Sequence, residues 1–288
     1  MDNRAIGVFD SGLGGLTAVK ELMRLMPGES IVYFGDTGRV PYGTKSNETI
    51  IKYTLGDLQF LNTFDLKEII IACGTASAIA LPAVRDKCPV PLTGVTASAA
   101  RAAVRATENG RIGIIGTPGT IRSGAYEELI REQDAGLFTV SQPCPLFVQL
   151  VESGWTDNEV AYLAAQEYLR PVKEAGVDTL ILGCTHYPLL ARTIAHVMGD
   201  GVRLIDPGAE TAREVRQRLT ERDMLSEETA EEQYRFFASD CVDGFAELGS
   251  RFLERPIAGS VRRIDIESYS PRCGTEEEAE DKKWKTTH

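Results

Sequence analysis

The sequence predicts an α/β protein of two similar domains, each a parallel sheet flanked by helices, related by a pseudo-twofold axis with a cleft between them. Three observations carry that reading. Short apolar runs alternate with segments of helical periodicity along most of the chain, the pattern of β-α units. The runs before Cys73 (Ile69-Ile70-Ile71-Ala72) and before Cys184 (Leu180-Ile181-Leu182) are continuous rather than alternating, as in strands covered on both faces. The chain also echoes itself. Ile6-Gly7-Val8-Phe9-Asp10-Ser11-Gly12 resembles Ile112-Gly113-Ile114-Ile115-Gly116-Thr117-Pro118 at an offset of 106, and the two cysteine strands lie 111 apart. Near-equal offsets of two motif pairs point to an internal duplication.

Taken in order, Ile6 to Phe9 reads as a buried strand and Leu16 to Met26 as a helix stopped by Pro27-Gly28. Ile31 to Phe34 is a second strand. Asn47 to Phe64 is a helix with Ile50, Ile51, Leu55, Leu58 and Leu61 near helical spacing. The Cys73 strand, a helix over about 77–85 and a strand from Pro91 to Val95 follow. The second half restarts with an alanine-rich helix, Ala97 to Thr107. A strand (Arg111 to Gly116), a helix (Gly119 to Glu132) and a strand (Phe138 to Ser141) come next. A long helix from Asp157 to Ala175 leads to the Cys184 strand, with Thr156 or Asp157 as its N-cap. Pro188 suits the first turn of the next helix, which runs to Met198 before a strand from Val202 to Ile205.

Beyond Pro207 the pattern predicts helices over 209–222 and 243–254 and strands over 234–238 and 261–266. These could form a third unit, but they read better as completing the first domain, whose share of the chain is otherwise short. The expected partition is therefore residues 1–97 plus 208–267 for the first domain and 98–207 for an inserted second one. Residues 268–288, charged and without aliphatic core residues, read as a flexible tail.

The chain has 288 residues, 43 % of them hydrophobic, 25 % charged, and a net charge of -11. An acidic balance of this kind argues against a nucleic-acid or anionic-membrane partner. A small anionic substrate stays compatible, because helix N-termini make locally positive pockets. No signal-peptide core precedes the first strand and no apolar run approaches a membrane span, so a cytoplasmic location is expected. The six cysteines contain no C-x-x-C and no cluster with histidine completes a zinc site, so neither a disulfide framework nor a metal is expected.

In parallel α/β sheets, ligands bind beyond the carboxyl ends of the strands. Five such ends carry polar or reactive residues: Asp10-Ser11-Gly12, Asp36 with Pro41-Tyr42-Gly43, Cys73-Gly74-Thr75, Thr117 through Thr120, and Cys184-Thr185-His186. Two thiols on opposite sides of one site suit acid-base chemistry on both faces of a single carbon, one group removing a proton and the other delivering one. Asp10 is placed to relay a proton for Cys73, and the His186 setting suits Cys184.

The stretches Gly7-Val8-Phe9-Asp10-Ser11-Gly12-Leu13-Gly14-Gly15-Leu16-Thr17, Asp36-Thr37 with Val40-Pro41-Tyr42-Gly43, and Ala72-Cys73-x-Thr75-Ala76-Ser77 then acquire a specific meaning. So do Leu150-Val151-Glu152-x-Gly154 and Gly183-Cys184-Thr185-His186-Tyr187-Pro188. In this order they resemble the glutamate racemases of the cofactor-independent aspartate/glutamate racemase superfamily. The resemblance implies interconversion of L- and D-glutamate without pyridoxal phosphate or metal, and supply of D-glutamate for peptidoglycan. It implies that Cys73 takes the α-proton of the D-isomer and Cys184 that of the L-isomer, with Asp10 assisting Cys73 and with Glu152 and His186 assisting Cys184. It assigns substrate binding to Asp10, Ser11, Pro41, Tyr42, Gly43, Gly74, Thr75, Thr117, Thr120, Thr185 and His186. A homodimer is the protein partner it allows. One departure stands out: the family usually carries Asn after the first cysteine, where this chain has Gly74.

Other readings stay open at the level of sequence. Either cysteine alone reads equally as inert core, Asp10 as a helix cap, Tyr42 as a turn residue, Glu152 as a solvated charge and His186 as a buried, satisfied histidine. Gly12-x-Gly14-x-x-Thr17 approaches a dinucleotide fingerprint, but its third glycine is missing and Asp10 sits where a pyrophosphate would approach. Besides a glutamate racemase, the classes to separate are a racemase of another acidic amino acid such as aspartate, a related lyase or decarboxylase, and a non-catalytic two-lobed binding protein.

Overall fold

The computed structural model describes residues 1–226, 233–257 and 261–269. Its strands are β1 (Ala5–Asp10), β2 (Ile31–Gly35), β3 (Leu66–Ile71), β4 (Leu92–Gly94), β5 (Arg111–Gly116), β6 (Phe138–Pro143), β7 (Thr179–Leu182), β8 (Arg203–Ile205), β9 (Tyr234–Ala238) and β10 (Arg262–Arg263). They form two sheets in which every pairing is parallel, ordered β10-β9-β2-β1-β3-β4 and β6-β5-β7-β8. The order β2-β1-β3-β4 in the first sheet is the order β6-β5-β7-β8 of the second. β9 adds to the free edge of β2, with Tyr33 opposite Phe236.

Burial explains the continuous apolar runs. Every residue of β1, β3 and β7 is buried, so both faces of the central strands are covered. Two charges inside β3 are satisfied by partners on other elements. Lys67 pairs with Glu29 at 2.6 Å, and Glu68 meets Arg218 and accepts from Thr93. A buried charge without such partners would be strongly destabilising. One apolar cluster runs from Ile6, Val8 and Tyr33 in the first sheet to Leu180, Leu182 and Tyr187 beside the second. Within it, Phe147 makes edge-on contacts with Tyr168 and Tyr187 at 5.4 and 5.3 Å. Phe147→Ala is expected to cost about 3–5 kcal/mol, the usual loss for a buried aromatic. A urea titration checks it: the midpoint should fall at unchanged slope.

Several helices differ from expectation, each for a local reason. The helix expected over about 77–85 begins earlier, at Gly74, and is two pieces, Gly74–Ile79 and Leu81–Val84, because Pro82 lacks the N–H to continue the first. The helix expected from Gly119 to Glu132 breaks at Gly124, whose φ of +66° is left-handed, into Pro118–Ser123 and Ala125–Gln133. A helix unforeseen in the sequence, Leu146–Glu152, carries Glu152. The strand expected over 261–266 is paired only at Arg262–Arg263. Ser268 and Tyr269, expected in the tail, belong to a short turn in which Tyr269 stacks edge-on against Phe60 at 5.3 Å. The rest of that tail, with Cys273, lies outside the described residues. No helix among the described residues is long and apolar enough to cross a membrane.

Candidate active site

Of the polar residues expected to act together, all but Glu152 lie at or beyond the carboxyl ends of strands. Asp10 closes β1, Cys73 follows β3, Thr117 follows β5 and Cys184 follows β7. Each strand ends in a sharp turn into a helix or a short 3-10 turn, which holds the side chain at the sheet edge rather than inside the layer.

On the first sheet, Cys73 caps the helix Gly74–Ile79. Its sulfur accepts from the Ala76 N–H at 3.4 Å and lies 3.3 Å from the Ser11 hydroxyl. Burial, and then the Asp10 carboxyl, push the thiol up to about 12 against these two hydrogen bonds. Asp10 is itself buried. Its Oδ2 accepts from the Gly12 N–H at 2.9 Å, while Oδ1 has no hydrogen-bond partner among the described residues. Burial pushes the Asp10 carboxyl up, opposed by His186 and by backbone N–H groups. Cys73 in this setting is a thiol with a proton to give.

The second sheet presents a different arrangement. The Cys184 sulfur lies 3.9 Å from His186 Nδ1, and His186 Nε2 lies 3.1 Å from Glu152 Oε1. A carboxylate, an imidazole and a thiol thus stand in line, with the unforeseen helix Leu146–Glu152 supplying the carboxylate. Burial alone pulls His186 down. The hydrogen bonds to Cys184 and Glu152 outweigh it and raise the imidazole to about 10. Phe252 packs edge-on against the imidazole at 5.3 Å, on the side of the helix Val242–Leu253.

Between the two thiol settings the halves touch directly. The hydroxyls of Thr75, from the first sheet, and of Thr117 and Thr120, from the second, form a ring with O···O distances of 2.9, 3.2 and 3.0 Å. Thr185 lies beside His186, its hydroxyl 3.5 Å from Nδ1. The Thr17 hydroxyl reaches the Thr185 carbonyl at 3.3 Å. Gly74 faces the Gly183 carbonyl so closely that a Cβ there would meet the oxygen at 2.4 Å. Only a residue without a Cβ allows this approach. Beside Cys184 remains a cavity of about 10 Å³, lined among others by Thr17, Gly74, Tyr126 and Asp206, with room for no more than a water.

The loop 40–44 enters from the first sheet. Gly43 packs on Thr117, a Cβ at 43 falling 2.8 Å from the threonine Cβ. Pro41 is exposed. The Tyr42 side chain is buried, and its hydroxyl lies 2.5 Å from Asp36 Oδ2 and 2.9 Å from Asp57 Oδ2, committed away from the thiols. Whatever Tyr42 offers a ligand is therefore backbone. Sequence reasoning passed over Asp57, Asp206 and Tyr126, and met Thr17 only as part of a motif. Asp57 had left a signal, since with Ile50, Thr54, Leu58 and Leu61 it falls on the apolar stripe of its helix, an unusual place for an acid. Among the described residues, no group of three or more His, Cys, Asp or Glu comes together as a metal site.

Comparison with known proteins gives a consistent result. Residues 16–215 match the family described as Asp/Glu/Hydantoin racemase. The chain is 48 % identical over 265 residues to the glutamate racemase of Geobacter metallireducens, covering 92 % of this chain and 98 % of the relative. Among solved structures, glutamate racemase from Francisella tularensis in complex with D-glutamate superposes with a TM-score of 0.87 at 38 % identity, covering 93 % of this chain and all (100 %) of that one. A glutamate racemase isoform from Bacillus anthracis gives a TM-score of 0.87 at 38 % identity, covering 92 % and 98 % of the two chains.

Proposed function

The chain belongs to the Asp/Glu/hydantoin racemase family and is an isomerase of the glutamate racemase type, and from that premise we propose that it inverts the α-carbon of glutamate with two cysteines and no cofactor. One observation carries the reading: two thiols follow equivalent strands of two like sheets, each with its own proton partner. The α-proton of an amino acid is weakly acidic, so its removal needs a base in place and stabilisation of the charge that develops on the carboxylate. On the Cys184 side, the imidazolium of His186, held by Glu152, stabilises a thiolate that takes the α-proton of L-glutamate. On the opposite face, the Cys73 thiol delivers its proton, which leaves Cys73 a thiolate and Cys184 a thiol. A proton returns to Cys73 by way of Asp10 and Ser11 while Cys184 releases one to solvent, and the pair is reset with no net gain. The reverse reaction exchanges the roles.

The hydroxyls of Thr75, Thr117 and Thr120, with Ser11 and Thr185, supply donors for the substrate's carboxylates. The backbone of Pro41-Tyr42-Gly43 and Gly74 completes the enclosure. A ring of three hydroxyls that, among the described residues, bond to one another and to backbone can turn its protons toward an anion at little cost.

Further assignments go with this reading. Residues 1–97 with 208–267 form one domain and 98–207 the other, as the pairing of β9 with β2 supports. The protein acts in the cytoplasm, and its D-glutamate supplies peptidoglycan synthesis.

The decisive experiment uses purified protein and each enantiomer of glutamate and aspartate in D₂O, without added cofactor. Inversion of both glutamate enantiomers with α-deuteration supports the reading. Inversion of aspartate alone, a strict need for pyridoxal phosphate, or no reaction overturns it.

A further inference from the structure

Away from the thiols, behind the loop 40–44, lies a buried cluster of charge. Asp36 and Asp57 are fully buried and Arg39 nearly so. Arg39 donates from Nε to Asp36 Oδ2 at 2.7 Å and from Nη2 to Asp57 Oδ1 at 2.6 Å, and its guanidinium stacks on the Tyr53 ring at 4.3 Å. Ser239, which accepts from the Gly38 N–H, donates to Asp36 Oδ1 at 2.9 Å. The other charged group facing the cluster is Glu267, 3.5 Å from Arg39 Nη1 and largely exposed.

A proton count identifies the state of this cluster. The Tyr42 hydroxyl has one proton and two carboxyl oxygens beside it. Asp36 already accepts from Arg39 and from Ser239, so it is the ionised partner, and the shorter contact from Tyr42 completes its shell. Asp57 Oδ2 is then left 2.9 Å from an oxygen whose proton points elsewhere. Two oxygens at that distance need a proton between them, and Asp57 is the remaining source.

We propose that Asp57 is a carboxylic acid that donates to Tyr42, and that the chain Asp57–Tyr42–Asp36–Arg39 is a positioning device for the substrate-binding loop 40–44. With Asp57 neutral, Asp36 and Arg39 balance, and no uncompensated charge is buried. The direction of the Asp57 carboxyl agrees: burial, then the neighbouring Asp36 charge, push it well above the usual carboxylate range. The device reaches the site through covalent neighbours. Tyr42 is fixed by its hydroxyl, Gly43 follows it, and Gly43 rests on Thr117, a member of the hydroxyl ring. The inference rests on the proposed racemase reading for its functional consequence, though not for the proton itself.

Asp57→Ala removes the donor to Tyr42 and one acceptor of Arg39, and should raise the KM for glutamate about tenfold with kcat changed less than about threefold. Asp57→Asn offers an N–H to Tyr42 and a carbonyl to Arg39, the same pattern as the acid, and should restore KM to within about twofold of the parent. Asp36→Asn strips the charge that balances Arg39 and should not be tolerated in this way. The infrared spectrum in D₂O supplies a readout independent of turnover. The parent should show, beyond any contribution of Asp10, a protonated carboxyl C=O band that is missing in Asp57→Asn. Parent protein without that band, or an Asp57→Asn variant as impaired as Asp57→Ala, overturns the inference. Should Asp57→Ala fail to fold, the band and the contrast between the two asparagine variants still decide. Failure of the glutamate assignment would look different: no inversion by the parent, with the carboxyl band still deciding the state of Asp57.

Discussion

Cys73→Ala is expected to lose inversion of glutamate in both directions, by about 10³-fold or more, the usual range for a positioned acid or base. It should keep exchange of the α-proton of L-glutamate. With Cys184 and its His186–Glu152 partners intact, the base on one face can still remove the proton and return a deuteron to the same face. L-glutamate would then gain deuterium without becoming D-glutamate. Cys184→Ala should give the mirror result with D-glutamate, but more weakly. The remaining Cys73 thiol is pushed up to about 12 by burial and by Asp10, so its thiolate is scarce. NMR of each enantiomer in D₂O, with chiral analysis of the product, reads both quantities. A single-cysteine variant that still inverts glutamate at the parent rate would dispose of the two-base mechanism.

The second large effect is expected at His186. His186→Asn removes the cation beside Cys184 and leaves Glu152 without its partner. A loss of about 10²-fold in kcat/KM is expected, within the range of general acid-base assistance. The loss must be equal in the two directions, because the enantiomers of glutamate have the same free energy and their equilibrium constant is one. Asymmetry can appear only in kcat and KM separately, compensating each other. A pH series sharpens the test. The imidazole, raised to about 10, keeps its charge from below its ordinary 6.5 up to that value. The parent's advantage over His186→Asn should therefore persist through neutral pH and fade as pH rises through about 10. Stability follows the same sign: the contribution of a raised imidazole is fully present below about pH 6.5 and is lost on the alkaline side. Thermal unfolding of the two proteins should converge there.

The parallel sheets were legible because central strands covered on both faces must be apolar at every position, and β1, β3 and β7 are. The cysteines stood out for the complementary reason: each interrupts such a run with a reactive group where a strand ends. What escaped depended on contacts between segments distant in sequence. The helix Leu146–Glu152 is too short to show a period, and Glu152 meets His186 only when that helix lies along the second sheet. Tyr42 belonged to a recognisable motif, yet the direction of its hydroxyl depends on Asp57, which lies on another helix. The Gly74 departure also takes on a different character in the fold. In the sequence it is a missing side chain; in the fold it is a close approach to Gly183.

The hydroxyl ring and the close approach of Gly74 to Gly183 join the two halves where glutamate is proposed to bind. The donors proposed to hold glutamate reach each other across that seam. Glutamate must wait for these contacts to part, so its observed affinity is the intrinsic one multiplied down by the fraction of time the halves stand open. Admission then has a ceiling rate of its own. In stopped-flow mixing, the observed rate should level off with rising glutamate concentration instead of climbing linearly toward the diffusion limit.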